Sequence, residues 1–261
     1  MQLPNYRLLD QVSLALERGN KSVLTKVQNN RIHGLGPLIE TSILCRVHPA
    51  IGSLFPLCET RQVADALLAG QAQPLRVICG SNGLEQWGIL RFRDATVQEM
   101  TNPLHSFQLE TQKALHFRKK VSNGKARICG AIREMVDNIY DHSGAPNTGV
   151  VAFLGSSDSF EVSVGDAGIG ILASLRSNPT FAFLQDAGTA MSLALKDGNS
   201  RYGPAQDRGY GFGTLFRALN TLDAQLRFRS GDYALEITGR NPHISQKAHL
   251  QGFIVSLKLA L

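Results

Sequence analysis

No Cys-x-x-Cys pair occurs in these 261 residues, and the four cysteines, Cys45, Cys58, Cys79 and Cys129, are widely spaced. That spacing argues against a zinc knuckle and against a thioredoxin-like redox pair, and leaves buried free thiols as the simpler reading. Also missing is any uninterrupted apolar run approaching the roughly 20 residues that span a bilayer. The opening residues, Met1-Gln-Leu-Pro-Asn-Tyr-Arg7, do not lead from a charged start into an apolar stretch, so a cytoplasmic protein without a membrane segment is expected. Runs of like charge are scarce. Arg118-Lys119-Lys120 is the one basic run, although the formal charge is +6. Residues 1–120 hold 14 Lys and Arg against 9 Asp and Glu, and residues 121–261 hold 13 against 12. Scattered charges of this kind read as a solvated face more readily than as a nucleic-acid footprint. Internal repeats and low-complexity tracts are absent too. What remains is ordinary globular composition, 43% hydrophobic and 18% charged, enough for one large or two modest domains.

Three short segments carry chemistry. Glu134-Met-Val-Asp-Asn138 sits on a helical apolar pattern formed by Ile128, Ala131, Ile132, Met135, Val136 and Ile139, which predicts a helix over 126–142. Glu134 and Asn138 are four apart and share a face, where a carboxylate and an amide can hold a metal ion and a water beside a phosphate. Asp166-Ala-Gly168-Ile-Gly170 follows the alternating run Phe160-Glu-Val162-Ser-Val164, so the acid stands where a strand empties into a glycine turn, placed to accept from an exocyclic amine. Gly209-Tyr-Gly211-Phe-Gly213 opens a helix from Thr214, whose first amides would face anionic oxygens. Between the glycine segments, residues 196–208 form a polar loop of the sort that closes over bound phosphates.

Other elements follow from pattern. Helices are predicted over 6–16, 61–68, 104–120, 171–176 and 187–195, and strands over 75–79, 87–92, 149–154, 160–164 and 252–259. Residues 224–229 and 233–238 flank Ser230-Gly231-Asp232, which reads as a hairpin turn. Asn102-Pro103 reads as a helix-breaking linker, dividing the chain into a first domain, 1–104, and a second, 105–261.

In their order and placement, the three segments resemble the N box and the two glycine boxes of the GHKL, or Bergerat-fold, ATPases, a histidine-kinase-like ATP-binding domain. The resemblance covers about residues 105–261. It implies a two-layer α/β sandwich for that region, a mixed and mainly antiparallel sheet with helices on one face; the helix and strand patterns before it read as a smaller α/β domain of unassigned fold. It implies that Asn138 holds magnesium and Asp166 binds the adenine amine. Gly168 and Gly170 form the first glycine turn, and Gly209, Gly211, Gly213 and Thr214 line the triphosphate. Glu134 matches the general base of members that hydrolyse ATP. The departures narrow the class. No second domain of the gyrase or MutL type is expected to supply a phosphate-binding lysine, and a partner chain or Arg201 or Arg208 of the loop could take its place. His33, His48, His105 and His116 lie in no phosphoacceptor motif. The nearest likeness is to small stand-alone prokaryotic ATP-binding proteins that resemble anti-sigma-factor kinases. The leading expectation is a magnesium-dependent, slowly hydrolysing ATP-binding module whose lid controls a protein partner, with homodimerisation as a further role for the first domain. A protein kinase acting on serine or histidine of a partner, and a non-catalytic ATP switch, are the alternatives.

Overall fold

The computed structural model describes residues 6–27, 30–58, 60–69, 78–82, 85–92, 96–116, 125–194, 224–238 and 241–260. Among them the helices are α1 (Arg7–Glu17), α2 (Val23–Lys26, a single turn), α3 (Leu35–Leu44), α4 (Arg61–Ala69), α5 (Val97–His116), α6 (Lys125–His142), α7 (Gly170–Arg176) and α8 (Ala187–Ala194). The strands are β1 (Ile78–Asn82), β2 (Glu85–Arg91), β3 (Val150–Gly155), β4 (Ser159–Asp166), β5 (Ala224–Thr238) and β6 (Asn241–Ala260). They form one six-stranded sheet in the order β1-β2-β3-β4-β6-β5, and every neighbouring pair is antiparallel. The class is α/β, as the patterns predict. None of the described helices is long and apolar enough to cross a membrane.

Helices cover both faces of this sheet, where one covered face was expected. Strand periodicity sends Phe160, Val162 and Val164 of β4 to a core shared with α5, α6, α7 and α8. The opposite face of the sheet, with Trp87, Ile89, Ala152 and Ile254, packs with Leu9, Val12, Leu38, Ile39 and Ile43 of α1 and α3. On β4 that second face carries Glu161, Ser163 and Gly165, which read as solvent-facing in an alternating strand but are all buried. Each has a reason to be inside. The Glu161 carboxylate accepts from the Leu35 amide at 2.6 Å, which caps the first turn of α3, and it pairs with Lys258 at 2.8 Å. Ser163 and Ser256 share a hydrogen bond of 2.7 Å. At Gly165 a Cβ would sit 2.7 Å from the Phe253 carbonyl oxygen of β6 and 2.9 Å from Ile43 Cδ1, so a side chain there would crowd the β6 backbone as well as α3.

Two buried arginines complete this face. Arg227 of β5 donates through Nε to Glu40 at 3.1 Å and through Nη1 to Glu236 at 2.6 Å, and its Nη2 also bonds Asp10 of α1. The Tyr6 ring lies 4.2 Å from its guanidinium carbon. Arg229, two residues on and therefore on the same face, donates to the Ala248 carbonyl at 2.6 Å and stands 3.6 Å from Glu40. Lys247 adds a contact of 3.1 Å to Asp10. Helices α1 and α3 are thus clamped to the strand β5 by charge as well as by apolar contact.

Local signals account for two further differences. Helix α5 runs through Asn102-Pro103, which reads as a helix breaker, and strands from both sides of it share the sheet. The helix starts seven residues earlier than predicted because Thr96 and Glu99 form a capping box. Glu99 Oε2 accepts from the Thr96 amide at 2.7 Å, and the Glu99 amide donates to Thr96 Oγ1 at 3.3 Å. Ser230-Gly231-Asp232 is not a hairpin turn. It is a bulge inside β5, with register shifts on either side of Gly231 at φ +58°, and both flanking segments pair with β6, the register continuing to Thr238 opposite Asn241. A positive-φ glycine between polar residues serves a bulge as well as a turn, and sequence alone does not separate the two.

Candidate functional site

Helix α6 presents its apolar stripe inward, with Ile132, Met135, Val136 and Ile139 buried against β4 and its neighbours. That placement rotates Glu134 outward and leaves Asn138 half-buried. Partial burial raises the Glu134 carboxyl above its ordinary range, Asp137 adds to the effect and Arg133 works against it. Arg133 is itself engaged by Asp137 at 3.2 Å on the exposed face.

Asp166 ends β4 and is fully buried. Its Oδ1 accepts from the Gly168 amide at 2.6 Å. Oδ2 is buried and has no hydrogen-bond partner among the described residues. Burial pushes the carboxyl up to about 7, opposed only by the Gly168 amide. A buried carboxylate oxygen without a donor costs free energy, and native interiors keep few of them. Such an atom suits a ligand N–H.

The turn after Asp166 is held from several directions. The Ala167 amide donates to Thr148 Oγ1 at 2.9 Å and the Ile169 amide to the Ser143 carbonyl at 2.8 Å, so the turn lies against the segment leaving α6. Gly168 is required there, since a Cβ would fall 2.1 Å from the Ser143 oxygen. Gly170 has φ +72°, a conformation that side chains disfavour, and it starts α7. The structure therefore brings the segment carrying Glu134 and Asn138 next to the one carrying Asp166, Gly168 and Gly170. Gly209, Gly211, Gly213 and Thr214, with the polar loop containing Arg201 and Arg208, lie outside the described residues.

Sequence reasoning missed Thr148 and Ser143, which hold the turn, and Ser230, discussed below. The Ser143-Gly144-Ala-Pro146 stretch reads as a helix stop, and nothing local announces that its carbonyl will accept from Ile169. A cavity of about 240 Å³ on the opposite sheet face is lined by Tyr6, Glu161, Arg227, Glu236, Ser256 and Lys258. Its acids and bases already pair with one another, which leaves no net charge for a ligand to satisfy. Among the described residues no group of three or more His, Cys, Asp or Glu is placed to hold a metal. A magnesium ion bound with a nucleotide takes one or two protein ligands and the phosphates, and an amide oxygen such as that of Asn138 is of the right chemical type. The chain matches no protein-family model and no curated protein.

Proposed function

We propose that this chain is an ATP-binding regulatory module of the GHKL type, with a Bergerat-like arrangement in which β3, β4, β6 and β5 carry α6, α7 and α8 on one face. The observation that supports it best is Asp166. Its buried Oδ2 lacks a donor among the described residues, at a strand end beside the helix that carries Glu134 and Asn138. An exocyclic amine of adenine supplies the missing N–H. Asn138 is the residue that would hold magnesium, which when bound neutralises phosphate charge. Gly209, Gly211, Gly213 and Thr214 are assigned to the phosphates on their sequence pattern alone.

In this reading the module is a slow ATPase. Glu134 is exposed to water, and its raised proton affinity makes it a better base for the water that attacks the terminal phosphorus, taking the proton as the bond to the ADP oxygen breaks. In this reading a protein partner would act on the segment before residue 105, whose helices α1 and α3 are held to β5 by Asp10 and Glu40. A cytoplasmic location is part of this reading.

Calorimetry with ATP and magnesium, alongside phosphate release, tests this directly. Saturable binding by the wild type, binding lost in Asp166→Asn, and release lost but binding kept in Glu134→Gln are expected. No saturable binding by the wild type would refute the proposal. Binding without release would remove the ATPase step and leave a switch or a kinase awaiting its substrate.

A further inference from the structure

We infer that Ser230, in the bulge of β5, is the positioning residue that seats the Asp166 turn for ligand binding. The inference rests on reading Asp166 as the ligand-binding acid. Four backbone amides hold the turn and the start of α7. The amides of Ala167, Gly168 and Ile169 donate to Thr148 Oγ1, Asp166 Oδ1 and the Ser143 carbonyl, all within 26 residues along the chain. The fourth is different in origin. The Ile171 amide donates at 3.0 Å to Ser230 Oγ, 59 residues away on β5.

Ser230 is placed for this by the bulge. Its hydroxyl is buried, accepts from Ile171, and donates to the Gly252 carbonyl of β6 at 2.6 Å, so both its hydrogen-bonding roles are used. Two glycines let the three segments come this close. A Cβ on Gly170 would stand 2.7 Å from Ser230 Oγ, and one on Gly252, where φ is +83°, would stand 2.1 Å from the Asp166 carbonyl. Gly252 thus abuts the backbone of Asp166, and Ser230 fixes Gly252 and the start of α7 together. Without the hydroxyl, the Ile171 amide and the Gly252 carbonyl lose their shared partner, and the start of α7 loses this hydrogen bond to β5 while Asp166 keeps only its backbone pairing with Phe253 of β6 to hold it to that side. The Asp166 carboxyl then samples positions open to water.

The test compares Ser230→Ala with Ser163→Ala, which deletes another buried serine hydroxyl of the same sheet, bonded to Ser256 and away from the turn. Two properties are read in each full-length protein: the titration midpoint of the Asp166 carboxyl by carbon NMR, and the affinity for ATP with magnesium. Ser230→Ala should lower the Asp166 midpoint by about one unit as water reaches it, and weaken ATP binding by about tenfold, the effect of one lost hydrogen bond. Ser163→Ala should move neither. Should Ser230→Ala not fold, Ser230→Cys keeps the volume with a weaker acceptor and should shift both readings in the same direction. A midpoint unmoved by the Ser230 variants, or moved equally by Ser163→Ala, overturns the positioning role. If no variant and no wild type binds ATP, the nucleotide reading falls, and the titration alone still decides the role of Ser230.

Discussion

Replacing Asp166 by Asn should make the protein's stability less dependent on pH, and the size of the change follows from burial. The carboxyl has an ordinary value of 3.8 and is raised to about 7 in the fold. The folded state therefore holds this proton more tightly than the unfolded chain. The stabilising contribution is fully present below pH 3.8 and is lost as pH rises through about 7. A shift of about three units at 1.36 kcal/mol each makes the ionised group cost the fold about 4 kcal/mol above neutrality. Of this, about 2 to 3 kcal/mol is lost between pH 5 and 8. Asparagine fills the same space and carries no charge at any of these values. Urea unfolding followed by circular dichroism at pH 5, 6, 7 and 8 should show the wild type losing about 2 to 3 kcal/mol relative to Asp166→Asn across that range. A constant offset from the substitution itself does not matter, because only the slope is compared. Curves that stay parallel to within about 0.5 kcal/mol would refute the reasoning, because they would mean that Asp166 is solvated or finds a donor in the fold.

The clamp on β5 gives a second expectation. Glu40→Gln leaves Arg227 and Arg229 short of a buried counter-charge, and should cost about 3 to 5 kcal/mol in chemical denaturation. Gly252→Ala forces a Cβ to 2.1 Å from the Asp166 carbonyl at a positive φ, so at least about 2 kcal/mol of stability should be lost. Thr96→Ala removes the capping box of α5 on an exposed surface, and a loss of only about 1 kcal/mol, read as a small drop in Tm, is expected.

Much of the fold is legible because its signals are local. The stripe from Ile128 to Ile139 sets both the existence of α6 and the outward turn of Glu134. The alternation from Phe160 to Val164 sets β4 and puts Asp166 at its end. Where prediction failed, a local cue pointed two ways or a cue was overlooked. Pro103 reads as a breaker, yet it is accommodated within a helix already started by Thr96 and Glu99. Ser230-Gly231-Asp232 fits a turn and a bulge alike.

The missing helix α3 has a different explanation. Leu35, Pro37, Leu38, Ile39, Ile43 and Leu44 are buried, and so are Gly36, Glu40 and Thr41, because the helix is surrounded by sheet, α1 and the 49–57 segment. A helix buried all round has no polar face, and without one there is no 3.6-residue period to read.

The sequence by itself therefore determined the local conformations, the glycine turn after β4 and the chemical types available to a site, since each depends on residues a few positions apart. Tertiary structure alone decided that the sheet is covered on both faces. It also decided that Arg227 meets carboxylates 187 and 217 residues away, that Ser230 meets Ile171, and that Asp166 lies buried with one oxygen lacking a donor among the described residues. Charge pairing and burial depend on which segments the chain topology brings together, and no window of a few residues contains that information.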